Sequence, residues 1–133
     1  VKGDPISLSD FIGRQNLVLV FYRGSFSTTS IERLRELQKS YARIRKLGAE
    51  VIAVSAEGRN TALRTAAELR LAYPVVADIA LAKLYGAYDA NTLLSRPAVF
   101  LVDRSGRIRW KHIGRGPLDR PPISRILAEL QNL

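Results

Sequence analysis

Leu17-Val18-Leu19-Val20-Phe21-Tyr22-Arg23-Gly24-Ser25-Phe26-Ser27-Thr28-Thr29-Ser30 is the stretch whose reading decides how this chain folds. Residues 17–22 form a continuous apolar run, the mark of a strand covered on both faces. Arg23 and Gly24 interrupt it with an elbow. From Ile31 the apolar residues recur at Leu34, Leu37, Tyr41, Ile44 and Leu47, in steps of three and four. That spacing predicts one amphipathic helix, ended by Gly48. Thr29-Ser30-Ile31-Glu32 fits a capping box in which Thr29 caps the helix and Glu32 reaches back to the Thr29 N–H.

Outward from this unit the same logic continues. Residues 50–55 (Glu-Val-Ile-Ala-Val-Ser) read as a second buried strand. Residues 60–71 read as a helix capped by Asn60 or Thr61, 74–77 as a short strand, and 80–85 as a short helix stopped by Gly86. Residues 98–102 and 107–113 flank Asp103-Arg104-Ser105-Gly106, with Asp first and Gly last, the chemistry of a tight hairpin turn. A Gly- and Pro-rich loop over 114–122 leads to a last helix carrying Ile123, Ile126, Leu127 and Leu130. Residues 3–15 read as a loop with one turn. Two parallel crossovers, an antiparallel hairpin and a C-terminal helix imply an α/β fold: a mixed central sheet with helices on both faces. One domain over 1–133 accommodates all of it.

Composition narrows the function classes. With 133 residues, 47% hydrophobic and 25% charged, the chain has the make-up of a globular protein. No apolar run approaches the length of a membrane helix. It opens on Val1 rather than Met, without a basic-then-apolar leader, so an exported or tethered form stays open beside the expected soluble, cytoplasmic one. There is no cysteine, which excludes disulfides, zinc–thiolate sites and thiol catalysis in the chain as it stands. No phosphate loop, dinucleotide fingerprint or metal-spaced cluster is present, and no cofactor or metal is implied. The net charge of +9 would suit nucleic acid, but the arginines are scattered along helical polar faces rather than massed.

Several phrases in order carry a likeness. Leu19-Val20-Phe21-Tyr22-Arg23-Gly24, Leu34-x-x-Leu37-Gln38, Pro74-Val75-Val76-Ala77-Asp78, Leu84-Tyr85-Gly86, Arg96-Pro97-Ala98-Val99-Phe100-Leu101-Val102-Asp103 and Asp119-Arg120-Pro121 follow one another over nearly the whole length. The chain resembles the peroxiredoxin-like branch of the thioredoxin superfamily, the alkyl hydroperoxide reductase C and thiol-specific antioxidant group. The resemblance implies a thioredoxin fold, a thiol peroxidase or thiol-disulfide oxidoreductase, a peroxide or protein disulfide as substrate, a thiol reductant as partner, and a homodimer.

It also assigns positions. The family's active-site loop places its peroxidatic cysteine at Ser30, and Ser27 takes either the family's hydroxyl or the first cysteine of a Trp-Cys-x-x-Cys variant, with Phe26 in the tryptophan's place. Tyr22 and Gly24 belong to the same loop. A cysteine at a helix N-terminus is held as thiolate, attacks peroxide and becomes a sulfenic acid; serine keeps the shape and loses the reaction. Pro97 is expected as the fold's cis-proline beside the loop, with a plain strand-starting proline as the alternative. The family's arginine falls three residues before Phe100, a slot that Pro97 holds; Arg96 lies one step back, where a strand side chain points the other way. Arg23 competes with it as the source of positive charge. His112, the one histidine, reads as a surface or packing residue.

Three readings of function follow: a peroxiredoxin-like oxidoreductase left inactive because a cysteine at Ser30, at Ser27 or at both was exchanged for serine by engineering, a naturally redox-inert binding protein on the same scaffold, and a basic nucleic-acid-binding module.

Overall fold

A computed structural model of the chain describes residues 10, 11 and 13–133. The expected loop over 3–15 lies mostly outside the described residues. The central strand β1 (Asn16–Phe21) is buried along its whole length. It pairs in parallel with β2 (Ala49–Ser55) and antiparallel with β6 (Ala98–Val102). Outside these lie β3 (Val75–Ala77), parallel to β2, and β7 (Ile108–Ile113), antiparallel to β6, giving the order β3-β2-β1-β6-β7.

Alternation along β1 explains its unbroken apolar run. Val18, Val20 and Tyr22 enter one core with Leu34 and Leu37 of α1 (Thr28–Lys39), Ile44 of α2 (Tyr41–Lys46), Ala62 and Ala66 of α3 (Arg59–Glu68), and Ile126 and Leu130 of α5 (Ile123–Gln131). Leu17, Leu19 and Phe21 enter the opposite core with Phe100 and with Leu81 and Ala82 of α4 (Ile79–Leu84). A strand with core on both sides cannot afford polar positions. Helices accordingly cover both faces, the mixed α/β thioredoxin-type architecture the sequence implied.

Four local expectations are corrected. The helix predicted from Ile31 to Leu47 is two, because Ser40 leaves helical geometry (φ −96°, ψ 2°) and the chain restarts at Tyr41. The cap of α1 is Ser27, whose side chain accepts from the Ser30 N–H. Thr29 instead shares a hydrogen bond with the Ser27 hydroxyl (3.1 Å), and Glu32 is drawn away to Arg120 at 3.3 Å, so no Thr29–Glu32 box forms. α3 starts with Gly58 as its cap and no side-chain capping bond, ahead of Asn60 and Thr61. A two-residue hairpin, β4 (Tyr88–Asp89) with β5 (Leu94–Ser95), lies where the sequence showed nothing periodic.

The fifth correction concerns Pro97: no peptide bond among the described residues is cis. The chain on both sides is already committed. Arg96 N–H donates to the Ala87 carbonyl at 2.6 Å, and the Pro97 carbonyl accepts from Gly114 N–H at 2.7 Å. The ordinary trans form satisfies both bonds, and the missing proline N–H falls just before β6, where no ladder bond needs it.

Candidate functional site

The elbow after β1 brings the helix start back onto itself. Ser30 Oγ accepts from the Arg23 amide at 3.2 Å and, at longer range, from the Gly24 amide at 3.5 Å. Ser30 N–H is itself bound to Ser27 Oγ at 3.3 Å. Ser27 and Ser30 are both buried. Two backbone donors plus the positive end of a 12-residue helix make the Ser30 position one where negative charge would be stabilised.

Glu57, from the β2–α3 connection, fixes the loop from behind. Its carboxylate accepts from Ser25 N–H and Ser25 Oγ, both at 2.9 Å. A Cβ at Gly24 would run into the Phe26 ring and stand 3.2 Å from Glu57 Oε2, so a side chain there would have to displace the ring. Phe26 is 60% exposed and lies under the Arg23 guanidinium, 5.4 Å from carbon to ring centroid.

Ser30 lies in the wall of a narrow pocket of about 30 Å³, which also involves Arg33, Pro97, Val99, His112, Asp119 and Arg120. That volume suits one or two water-sized groups. Pro97 is thus on the same side as the Ser30 elbow, although trans. Arg23 shares the pocket, and Arg96 does not: it is exposed and lines an adjoining groove.

Side chains that local patterns did not single out complete the wall. Arg33, three residues after Ser30, is buried; it donates to the Pro121 carbonyl and pairs with Glu36 at 3.8 Å. Burial, then the nearby Arg120 charge, push its guanidinium below its usual value, with Glu36 opposing. Arg120 donates to the Thr29 carbonyl at 2.8 Å and pairs with Glu32 at 3.3 Å and Glu36 at 3.7 Å. These bonds strap the 114–122 loop across the start of α1. Close packing at Gly114 completes the strap, since a Cβ there would meet the Asp119 carbonyl at 2.5 Å and Pro97 at 3.0 Å.

His112 is not the isolated residue the sequence suggested. Its Nε2 lies 2.8 Å from Asp119 Oδ1, and Arg115 N–H donates to the other carboxylate oxygen at 2.8 Å. The Arg115 amide first, then the His112 contact, hold the Asp119 carboxyl below its ordinary value. The hairpin register pairs His112 with Val99, a pocket residue, through an irregularity between Leu101 and Val102 that the sequence of the turn does not reveal. Tyr22, also in the pocket wall, is 1% exposed, and among the described residues its hydroxyl makes no well-formed hydrogen bond, although the Ser55 hydroxyl approaches it closely enough to act on it. Burial pushes that phenol up to about 12, with the Ser55 hydroxyl opposing and the Glu57 charge adding.

Chemically, the arrangement presents amide donors and guanidinium groups around a small cavity with the Ser30 hydroxyl in its wall. The hydrogen bonds found at Ser30 Oγ come from donors rather than from a base that could take its proton. Among the described residues no group of three His, Cys, Asp or Glu side chains could hold a metal, and no helix is long and apolar enough to cross a membrane.

Comparison with known proteins places this geometry. A putative peroxiredoxin ycf42 from Trieres chinensis is 28% identical over 114 residues, covering 79% of this chain and 55% of the relative. The chloroplastic 2-Cys peroxiredoxin BAS1 of Hordeum vulgare is 23% identical, covering 96% of this chain and 65% of that protein. The chain therefore spans about half to two-thirds of the length of these curated relatives. Among solved structures, Enterococcus faecalis AhpC superimposes with a TM-score of 0.88 at 26% identity, over 96% of this chain and 78% of that one. Mycobacterium tuberculosis AhpC does so at 0.82 and 20% identity, over 94% and 72%, which speaks for the fold alone. The AhpC/TSA family model matches residues 1–111, and with the strand–elbow–helix arrangement around Ser30 this establishes that the chain belongs to the AhpC/TSA family.

Proposed function

We propose that this chain carries a peroxiredoxin-type peroxide pocket that Ser30, standing at the peroxidatic position, leaves without thiol turnover. The observation that carries the reading is the pair of amides directed at Ser30 Oγ from the elbow at 3.2 and 3.5 Å. Donors so placed would hold a thiolate and lower its pKa, whereas a serine hydroxyl stays protonated near neutral pH. Ser27, Arg23, Tyr22, Gly24 and Phe26 shape the loop, Pro97 faces it, and Arg96 stands outside the pocket. A peroxide as ligand, a protein thiol or disulfide as reductant partner, and a homodimer belong to the same proposal.

Replacing Ser30→Cys tests it, with Ser27→Cys/Ser30→Cys as the two-cysteine form. The introduced thiolate would attack one peroxide oxygen and break the O–O bond. The other oxygen leaves with a proton as water or alcohol, and the sulfur becomes a sulfenic acid that dithiothreitol reduces. The expected result is a thiol titrating below the free value of about 8.5 and catalytic consumption of hydrogen peroxide with dithiothreitol, against none for the parent. A thiol with an unshifted titration that reacts no faster than free cysteine would overturn the reading. Retained circular dichroism would show that the variant had folded.

A further inference from the structure

Beside the Ser30 pocket runs a second depression, a groove of about 290 Å³ lined by Arg23, Asp89, Thr92, Arg96, Arg115 and neighbouring backbone. It shares Arg23, Pro97 and Pro117 with the pocket. Its distinction is that three arginines converge on one concave surface. Some guanidinium groups of the protein meet carboxylates: Arg45 with Glu50 at 3.2 Å, Arg109 with Asp103 at 3.2 Å, Arg120 with Glu32 at 3.3 Å and Arg125 with Glu129 at 3.0 Å. The guanidinium groups of Arg23, Arg96 and Arg115 have no ion pair among the described residues.

The nearby acids do not neutralise them. Asp89 is the one carboxylate of the lining, and its Oδ1 already accepts from Asn91 N–H at 2.9 Å. Asp119 is engaged by His112 and the Arg115 amide. The groove is left with two net positive charges. Like charges gathered in a concave surface repel one another and focus the field on whatever enters. Planar guanidinium groups match carboxylate and phosphate oxygens in paired hydrogen bonds.

We infer that this groove binds a small dianion, a phosphate monoester or a dicarboxylate, alongside the mouth of the Ser30 pocket. The volume is that of a compact small-molecule site and too small for a folded partner or a duplex. The site does not depend on what occupies position 30, so its failure and that of the peroxide reading are separate outcomes.

Calorimetric titration of the intact chain at about 20 mM salt with glycerol 3-phosphate, malonate and uncharged glycerol tests it. The arginine Nε resonances give a parallel readout. Both dianions should bind and glycerol should not, with the phosphate and the dicarboxylate arms showing which oxygen geometry the groove prefers. Arg96→Glu/Arg115→Glu should weaken binding at least about tenfold. Arg35→Glu/Arg43→Glu, the same charge change on exposed helical positions away from the groove, should leave it within about twofold. Equal weakening by both pairs would assign the effect to diffuse net charge and overturn the proposal. So would the absence of heat and of Nε shifts with either dianion.

Discussion

Replacing Tyr22→Phe probes the polar interior of the site directly. Among the described residues the buried Tyr22 hydroxyl has no well-formed hydrogen bond, only the approach of the Ser55 hydroxyl, and a buried hydroxyl left unsatisfied costs roughly 1–3 kcal/mol. Its removal at pH 7 should therefore leave stability unchanged or raise it by up to about 1 kcal/mol, where a typical core change destabilises. The pH dependence follows from the raised phenol. Between 10.0, its ordinary value, and about 12, the unfolded chain releases this proton while the folded chain retains it. The stability contributed by the neutral phenol is thus complete below pH 10.0 and is lost as pH rises through about 12. The slope is about 1.4 kcal/mol per pH unit, or about 2.7 kcal/mol across the window. Tyr73 supplies the contrast. It is also raised by burial, but its hydroxyl donates to the Leu34 carbonyl at 2.7 Å. Tyr73→Phe should cost about 1 kcal/mol at pH 7, while flattening the alkaline slope in the same sense. Urea unfolding of the three proteins at pH 7, 10 and 11 is the assay. A loss above about 2 kcal/mol for Tyr22→Phe at pH 7, or an alkaline slope identical to the parent's, would refute the argument, the first by showing that the Ser55 contact is a full hydrogen bond.

Two further outcomes are expected. Ser27→Ala should destabilise by about 1 kcal/mol because it removes the cap on Ser30 N–H, and Thr29→Ala should cost less; the reverse order in urea unfolding would restore the capping box at Thr29. The Asp103 carboxyl is held down to about 2, chiefly by the Ser105 hydroxyl and then by the Arg107 amide, the Arg109 guanidinium and the Ser105 amide. Its contribution is present above 3.8 and disappears as pH falls towards 2, so Asp103→Asn should flatten the acid limb of the stability profile. An unchanged acid limb would assign acid unfolding to other groups.

Particular elements show how legible the fold was. The run 17–22 announced a strand with core on both sides because strand alternation forces every position inward when two layers cover it, and β1 is buried throughout. The Asp103-to-Gly106 turn announced the β6–β7 hairpin, and Asp103 indeed accepts from the Ser105 and Arg107 amides. The break at Ser40 was invisible because the apolar spacing continues across it from Leu37 to Tyr41 and Ile44. Hydrophobic periodicity records which face is buried and is insensitive to one residue leaving helical geometry. The helix starts at Thr28 and is capped by Ser27, earlier than the sequence pattern implied, while Glu32 pairs with Arg120, 88 residues away. No local motif contains that information.

The order of the five strands of the main sheet and of the helices that cover it, the break at Ser40 apart, the membership of the AhpC/TSA family and the lack of any sulfur nucleophile at Ser27 and Ser30 were settled by the linear chain. Apolar spacing and residue identity need no knowledge of distant neighbours. What surrounds Ser30 was decided by the tertiary structure alone. Arg120 reaches the Thr29 carbonyl across 91 residues, His112 meets Asp119 through a loop folded back over Pro97, and the trans Arg96–Pro97 unit is tied to Ala87 through the Arg96 N–H and to Gly114 through the Pro97 carbonyl. Polar partnerships of this kind depend on sheet register and loop closure, so only the folded chain specifies them.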